Sequence, residues 1–159
     1  MSTKIINAQY DHFCFAYALL CKFVEECPDT IWGETFGGWP VWQQLYHSLH
    51  AIGLFSLKTD DAPLEGLFEP EVARLGPAPA TPPSKSEMMT FAGAAKAKAD
   101  AYFKSLSDGV LATKNAVLAA RMGRDLTHAG TVVLLSAHTL YHLGSCDAAL
   151  RQHGLKGVF

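Results

Sequence analysis

Between residues 5 and 27, apolar side chains return every three or four positions, at Ile6, Tyr10, Phe13, Tyr17, Leu20 and Val24, and Pro28 follows. That period is the signature of an amphipathic helix, ended where proline cannot continue it. After the Gly37-Gly38 step, Trp39 and Pro40 lead into a second periodic run. Proline is favoured at a first helical position because its missing N–H would be unpaired there, so a second helix is predicted over residues 40–58. Six of the eight prolines then fall between positions 63 and 83, a stretch that neither a helix nor a central strand would tolerate. It is predicted as a connector. Its roughly 25 residues could reach about 80 Å if extended, against about 30 Å for a twenty-residue helix, so the chain can return to either end of a bundle. The second and third helices are therefore free to run parallel.

Ser84 and Glu87 have capping-box spacing, and Met88, Phe91, Ala95, Tyr102, Phe103 and Leu106 then carry a third helix over residues 85–107. Residues 110–121 are compatible with a helix but short, and are predicted as an irregular or single-turn piece. The last helix is predicted from a cap at Thr127 or Thr131 to residue 153, with Gly154 as its stop. No alternating β-branched run is long enough to be a strand, and no internal repeat is present. The predicted class is all-α, a four-helix bundle with a long crossover between helices two and three, in a single domain over residues 1–159.

Composition adds a boundary condition. Of 159 residues, 49% are hydrophobic and 18% charged. A domain of this size buries roughly two-thirds of its unfolded surface and needs no disulfide or structural metal to fold. The charged fraction falls below the usual ~25%, which predicts a surface covered by a partner and hence a homodimer. Thirteen Lys+Arg against fifteen Asp+Glu give a net charge of −2 with no basic block, which disfavours nucleic acid as a partner. The four cysteines form no CxxC pair, and the opening MSTKIINAQYDHF lacks the apolar run of a signal peptide, so a cytoplasmic setting is expected. Histidines interrupt the apolar run TVVLLSAHTLYHLG well short of the ~20 residues a membrane span needs, so no membrane partner is expected.

Seven histidines carry the candidate chemistry. His138 and His142 are four apart on the last helix, so their rings project from one face and can reach one metal ion. Their helix is apolar nearly all round, which implies burial. The competing interpretation is a pair of core histidines satisfied by hydrogen bonds. Cys146 continues the row, but about 12 Å of helix rise separates it from His138, so it is predicted to pack as a small apolar residue. A third ligand from the second helix would be His47 or His50. Periodicity leans towards His50, nearer the edge of the apolar stripe, or leaves the choice open. Either gives three imidazoles with positions left for water or substrate, the ligand set of a catalytic site, and Zn, Ni, Mn or Fe would each fit it. No glutamate follows His138, so the HExxH hydrolase arrangement is absent, and no GxGxxG, Walker or GxSxG motif occurs.

The segments WQQLYHSLH, SKSEMMTF after the Pro-rich crossover, and AHTLYHLGSCDAALRQHG together resemble the DinB/YfiT-like metalloenzyme superfamily, over essentially the whole chain. The resemblance implies a bundle that binds a divalent ion through one histidine of the second helix and the HxxxH pair of the last. Carried over position by position, these are His47, His138 and His142, and His50 becomes a supporting or substrate-contact residue. Ala137 stands where many relatives carry arginine, and Ser145 where glutamine is common. Some relatives use such a site for thiol-dependent transfer or isomerisation. The resemblance thus implies a metal-dependent S-transferase or isomerase that takes a small-molecule substrate and a low-molecular-weight thiol. A non-catalytic metal- or ligand-binding dimeric module of stress-response type is one alternative, and a purely structural bundle another. Asp11, Glu25 and Glu26 are the nearest acid/base candidates, His153 is placed to meet the dipole of the last helix, and His12 and His128 have no identifiable partner.

Overall fold

A computed structural model describes residues 2–159, which are mostly helical. The order is α1 (Lys4–Glu26), α2 (Asp29–Trp32), β1 (Thr35–Phe36), β2 (Trp39–Pro40), α3 (Val41–Phe55), α4 (Pro70–Ala73), α5 (Lys85–Lys104), a 3₁₀ turn (Asp108–Val110), α6 (Ala116–Met122) and α7 (His128–Gln152). The long helices α1, α3, α5 and α7 are those expected from hydrophobic periodicity. Their ends follow local chemistry. At the start of α5 the Ser84 hydroxyl accepts the Glu87 N–H while the Glu87 carboxylate accepts the Ser84 N–H, a complete capping box. Thr127, rather than Thr131, caps α7 by accepting the Gly130 N–H at 3.1 Å.

α1 and α3 each pack against both α5 and α7, so the four long helices surround one core. Phe13, Leu20 and Phe23 from α1, Leu45 and Leu49 from α3, and Leu135 and Leu143 from α7 have no solvent exposure. Burying each such side chain stabilises the fold by roughly 1.5–3 kcal/mol. Tyr46 near the start of α3 meets Phe91 near the start of α5, ring centres 5.1 Å apart. Leu57, just beyond α3, lines the same cleft as Tyr102 and Ser105 at the far end of α5. α3 and α5 therefore run in the same direction, which the long connector between them permits.

Three local expectations are corrected. Residues 116–122 form the two-turn helix α6 instead of an irregular or single-turn piece. Asn115 caps it by accepting the Leu118 N–H at 3.1 Å, and Gly123 ends it with φ +64°. A helix this short is marginal alone, and burial of Leu118 and Ala119 holds it. Residues 35–40, where no strand was expected, form an antiparallel hairpin that pairs Thr35 with Pro40 and Phe36 with Trp39. Gly37 and Gly38 turn it with φ of +64° and +100°, the conformation a two-residue hairpin loop requires. Two residues a side are too few for alternation to reveal. The connector holds one helical turn, α4, with Pro70 at its first position, where proline is tolerated. Among the described residues no helix is long and apolar enough to cross a membrane.

Candidate metal centre

His138 and His142 stack one turn apart on α7, and α3, packed alongside, brings His47 between them. Ring centres are 4.9 Å apart for His47 and His138, 4.6 Å for His47 and His142, and 4.7 Å for His138 and His142. This is a nearly equilateral triangle of imidazoles. One ligand-capable nitrogen from each ring lies within 4.8 Å of the others. The His47 and His138 Nε2 atoms are 3.1 Å apart. Two imidazole nitrogens bound to one ion at about 2.0–2.1 Å stand roughly 2.9–3.4 Å apart, depending on the ligand angle. The observed separation falls within that range.

The connector sets the orientation of His47. Its Nδ1–H donates to the Ala73 carbonyl at 2.7 Å, which leaves the lone pair on Nε2, facing His138. Gln43, one turn earlier on α3, donates to the carbonyls of Val72 at 3.1 Å and Gly76 at 2.8 Å. Gln43 and His47 thus grip the same turn of chain. That turn closes with Leu75 at φ +62°, a left-handed conformation uncommon outside glycine, and with the Gly76 N–H bonded to the Glu71 carbonyl at 2.9 Å. With His47 Nε2 as acceptor, the His138 Nε2–H is the donor between the two rings. Metal binding therefore requires that proton to leave or move to Nδ1 of His138.

Electrostatics favour the neutral state that a ligand needs. Burial holds His47 below the ordinary imidazole range, against the opposing pull of the Ala73 carbonyl. Burial takes His138 down to about 4, with His47 adding to the effect. It takes His142 down to about 3, with His47 and His138 adding to it. Nδ1 of His142 is buried and has no hydrogen-bond partner, an unsatisfied polar atom beside two other imidazoles. Three neutral, converging rings with an orphaned nitrogen fit a divalent ion. Phe55 packs edge-on to His138 with ring centres 5.4 Å apart, and the exposed Tyr141 does so to His142 at 5.1 Å.

His50 stays outside the group, so the periodicity preference for it is overturned. The physical reason is that α3 has no exposed residue, and His47 and His50 are both half-buried on the one face it shares with Leu54. Gln43, Gln44 and Ser48 are as buried as Leu45 and Leu49, and distance from an apolar stripe loses its meaning. His50 is half-buried beside Tyr46, and its pKa is lowered first by burial, then by His47 and Arg74. Asp11, Glu25 and Glu26 are exposed on α1, and the group consists of histidines alone. Cys146 is fully buried, its thiol donating to the Val41 carbonyl at 3.7 Å, as expected of a packing residue. His128 does have a partner, Tyr102, and His153 pairs with Glu34 at 2.7 Å. Neither contact has a sequence signal, since both bridge residues far apart in the chain. Compared with protein-family models, curated proteins and solved structures, the chain shows no significant match.

Proposed function

We propose that His47, His138 and His142 hold a divalent metal ion, Zn, Ni, Mn or Fe, and that the protein is a metal-dependent enzyme of the thiol S-transferase or isomerase type. The observation that carries the metal site is the triangle of neutral imidazoles closed by the 3.1 Å Nε2 to Nε2 approach. The chemistry rests on the resemblance to the DinB/YfiT-like superfamily, whose four-helix bundle with a long crossover is the fold we assign. A divalent ion ligated by neutral imidazoles alone keeps its full charge and supplies Lewis acidity that makes a bound water or thiol a nucleophile near neutral pH. The chain's own residues orient and desolvate the site. Ala73 fixes the His47 tautomer, Phe55 shields His138, and among the described residues no fourth ligand joins the group, which leaves room for a thiol and a small-molecule substrate.

A homodimer belongs to the same proposal. Val133, Ala137, Tyr141, Gly144 and Ala148 are exposed on the outer side of α7, an uncharged stripe suited to helix packing between protomers. The lack of a carboxylate in the histidine group favours, as second interpretation, a binding module without turnover. Conjugation of a low-molecular-weight thiol to an electrophile, followed with metal-loaded wild type and with His47→Ala, separates the two. The enzyme proposal expects acceleration that the variant loses. Equal rates for wild type, variant and buffer would leave the binding module.

A further inference from the structure

His128, the first residue of α7, lies ten positions before His138, about 15 Å along the helix. It lines a cleft of about 260 Å³ together with Leu57, Lys58, Thr59, Lys114 and Ala116. A hydrogen-bond chain assigns its tautomer. Asn115 accepts the Leu118 N–H through Oδ1, so its amide donates, to the Tyr102 hydroxyl at 3.2 Å and to the Thr131 hydroxyl at 3.0 Å. Thr131 donates in turn to the Thr127 carbonyl at 3.1 Å. Tyr102 therefore receives a bond from Asn115 and passes its own proton to Nδ1 of His128, 2.8 Å away. The neutral ring is left with its proton on Nε2, a donor without a protein partner among the described residues.

The cleft lining carries two cations and no carboxylate. The Lys58 ammonium has no carboxylate partner among the described residues. Lys114 meets Asp125 at 2.5 Å, but those side chains are 61% and 88% exposed, so water screens the pair and a ligand can compete for the ammonium. Lys114 and Ala116 also border a neighbouring groove of about 500 Å³ that adds Arg124 and Asp125. Lysines act as point charges suited to a tetrahedral oxyanion, whereas a planar carboxylate is matched best by the arginine fork. At about 30 Å³ for each water-sized group, the cleft has room for a phosphoryl group with several carbons attached.

We propose that this cleft binds a small organic phosphate, with its oxygens held by Lys58, Lys114 and Nε2–H of His128 and its carbon body against Leu57, Ala116 and Val117. The site is independent of the histidine triangle. Calorimetric titration of the full chain at low salt tests it, with phenyl phosphate, inorganic phosphate and benzoate as probes. Phenyl phosphate is expected to bind one per chain, at least fivefold more tightly than inorganic phosphate and tenfold more tightly than benzoate. Both Lys58→Ala and Lys114→Ala, exposed positions whose replacement leaves the core intact, should weaken it at least fivefold. His138→Ala should leave it unchanged, which separates this cleft from the candidate metal centre. In long-range ¹H–¹⁵N spectra the His128 Nε2 resonance should move on titration. Absence of saturable binding, equal affinity for benzoate, unchanged affinity in both lysine variants or loss of binding in His138→Ala would each overturn the proposal.

Discussion

Acidification of the metal-free protein should destabilise it through the imidazoles of the triangle. An unfolded imidazole titrates near 6.5, whereas burial holds His138 at about 4 and His142 at about 3 in the fold. Because the folded pKa values are depressed, the unfolded chain binds more protons at any pH between these limits. Stability contributed by the neutral rings is complete above about 6.5, declines as pH falls through that value, and levels off only below the folded pKa values. At pH 5 the unfolded imidazoles are almost all protonated and the folded ones neutral, a difference of about 2 kcal/mol for each ring taken alone. The two rings sense each other and His47, so their contributions overlap, and about 2–3 kcal/mol for the group is the working figure. Urea unfolding at pH 7.5 and pH 5 measures it, with the double variant His138→Phe/His142→Leu as the reference that cancels carboxylate titration. Wild type should lose about 2–3 kcal/mol more than the double variant between the two pH values. Equal losses in both proteins would refute the inference that the rings are dry and neutral.

Other perturbations report on the supports of the site and the fold. Replacing Gln43 with leucine keeps the volume but removes both bonds to the turn at residues 72–76, so metal affinity should fall several-fold, with about 1–2 kcal/mol less stability, in competition titrations and thermal melts. Asn115→Ala deletes the cap of α6 and two buried donations and should destabilise by about 2–3 kcal/mol in denaturant titration. Asp147, buried, accepts the Val158 N–H at 2.6 Å and the Arg151 Nε–H at 2.8 Å, and a Cβ at Gly157 would collide with its carboxylate. Asp147→Ala and Gly157→Ala should both release the C-terminal tail, seen as faster proteolysis after residue 152 and a stability loss of about 1–3 kcal/mol.

Where burial repeats with the helical period, the fold was legible. Ile6, Phe13, Leu20 and Val24 lie on one face of α1, and the predicted helix differs from the observed one by a residue at each end. The capping box at Ser84 and the proline crowding of the connector carried similar local information. α6 was not legible because its support is tertiary: Leu118 and Ala119 are buried against the bundle, and Tyr102 and Thr131 hold its cap residue Asn115 from α5 and α7. At the candidate site, the helical spacing placed His138 and His142 on one face, a signal weak by itself, and the resemblance selected His47. Composition and period alone could not separate His47 from His50, two half-buried positions three apart on the same face of α3. The carbonyl of Ala73 has no side-chain signal at all. Gln43 and His47, one turn apart on α3, both reach the same backbone turn, but Gln44, Ser48 and His50 on the same helix are polar as well, so the sequence does not single the pair out.

Metal content tests the central claim most directly. Untagged wild type and the His47→Ala, His50→Ala, His138→Ala and His142→Ala variants would be saturated with Zn, Ni, Mn or Fe in turn, dialysed, and analysed for metal by mass spectrometry. For at least one ion, wild type and His50→Ala should keep one divalent ion per chain, and the other three variants should retain almost none. Equal content in wild type and His138→Ala, or loss on replacing His50 but not His47, would contradict the assignment.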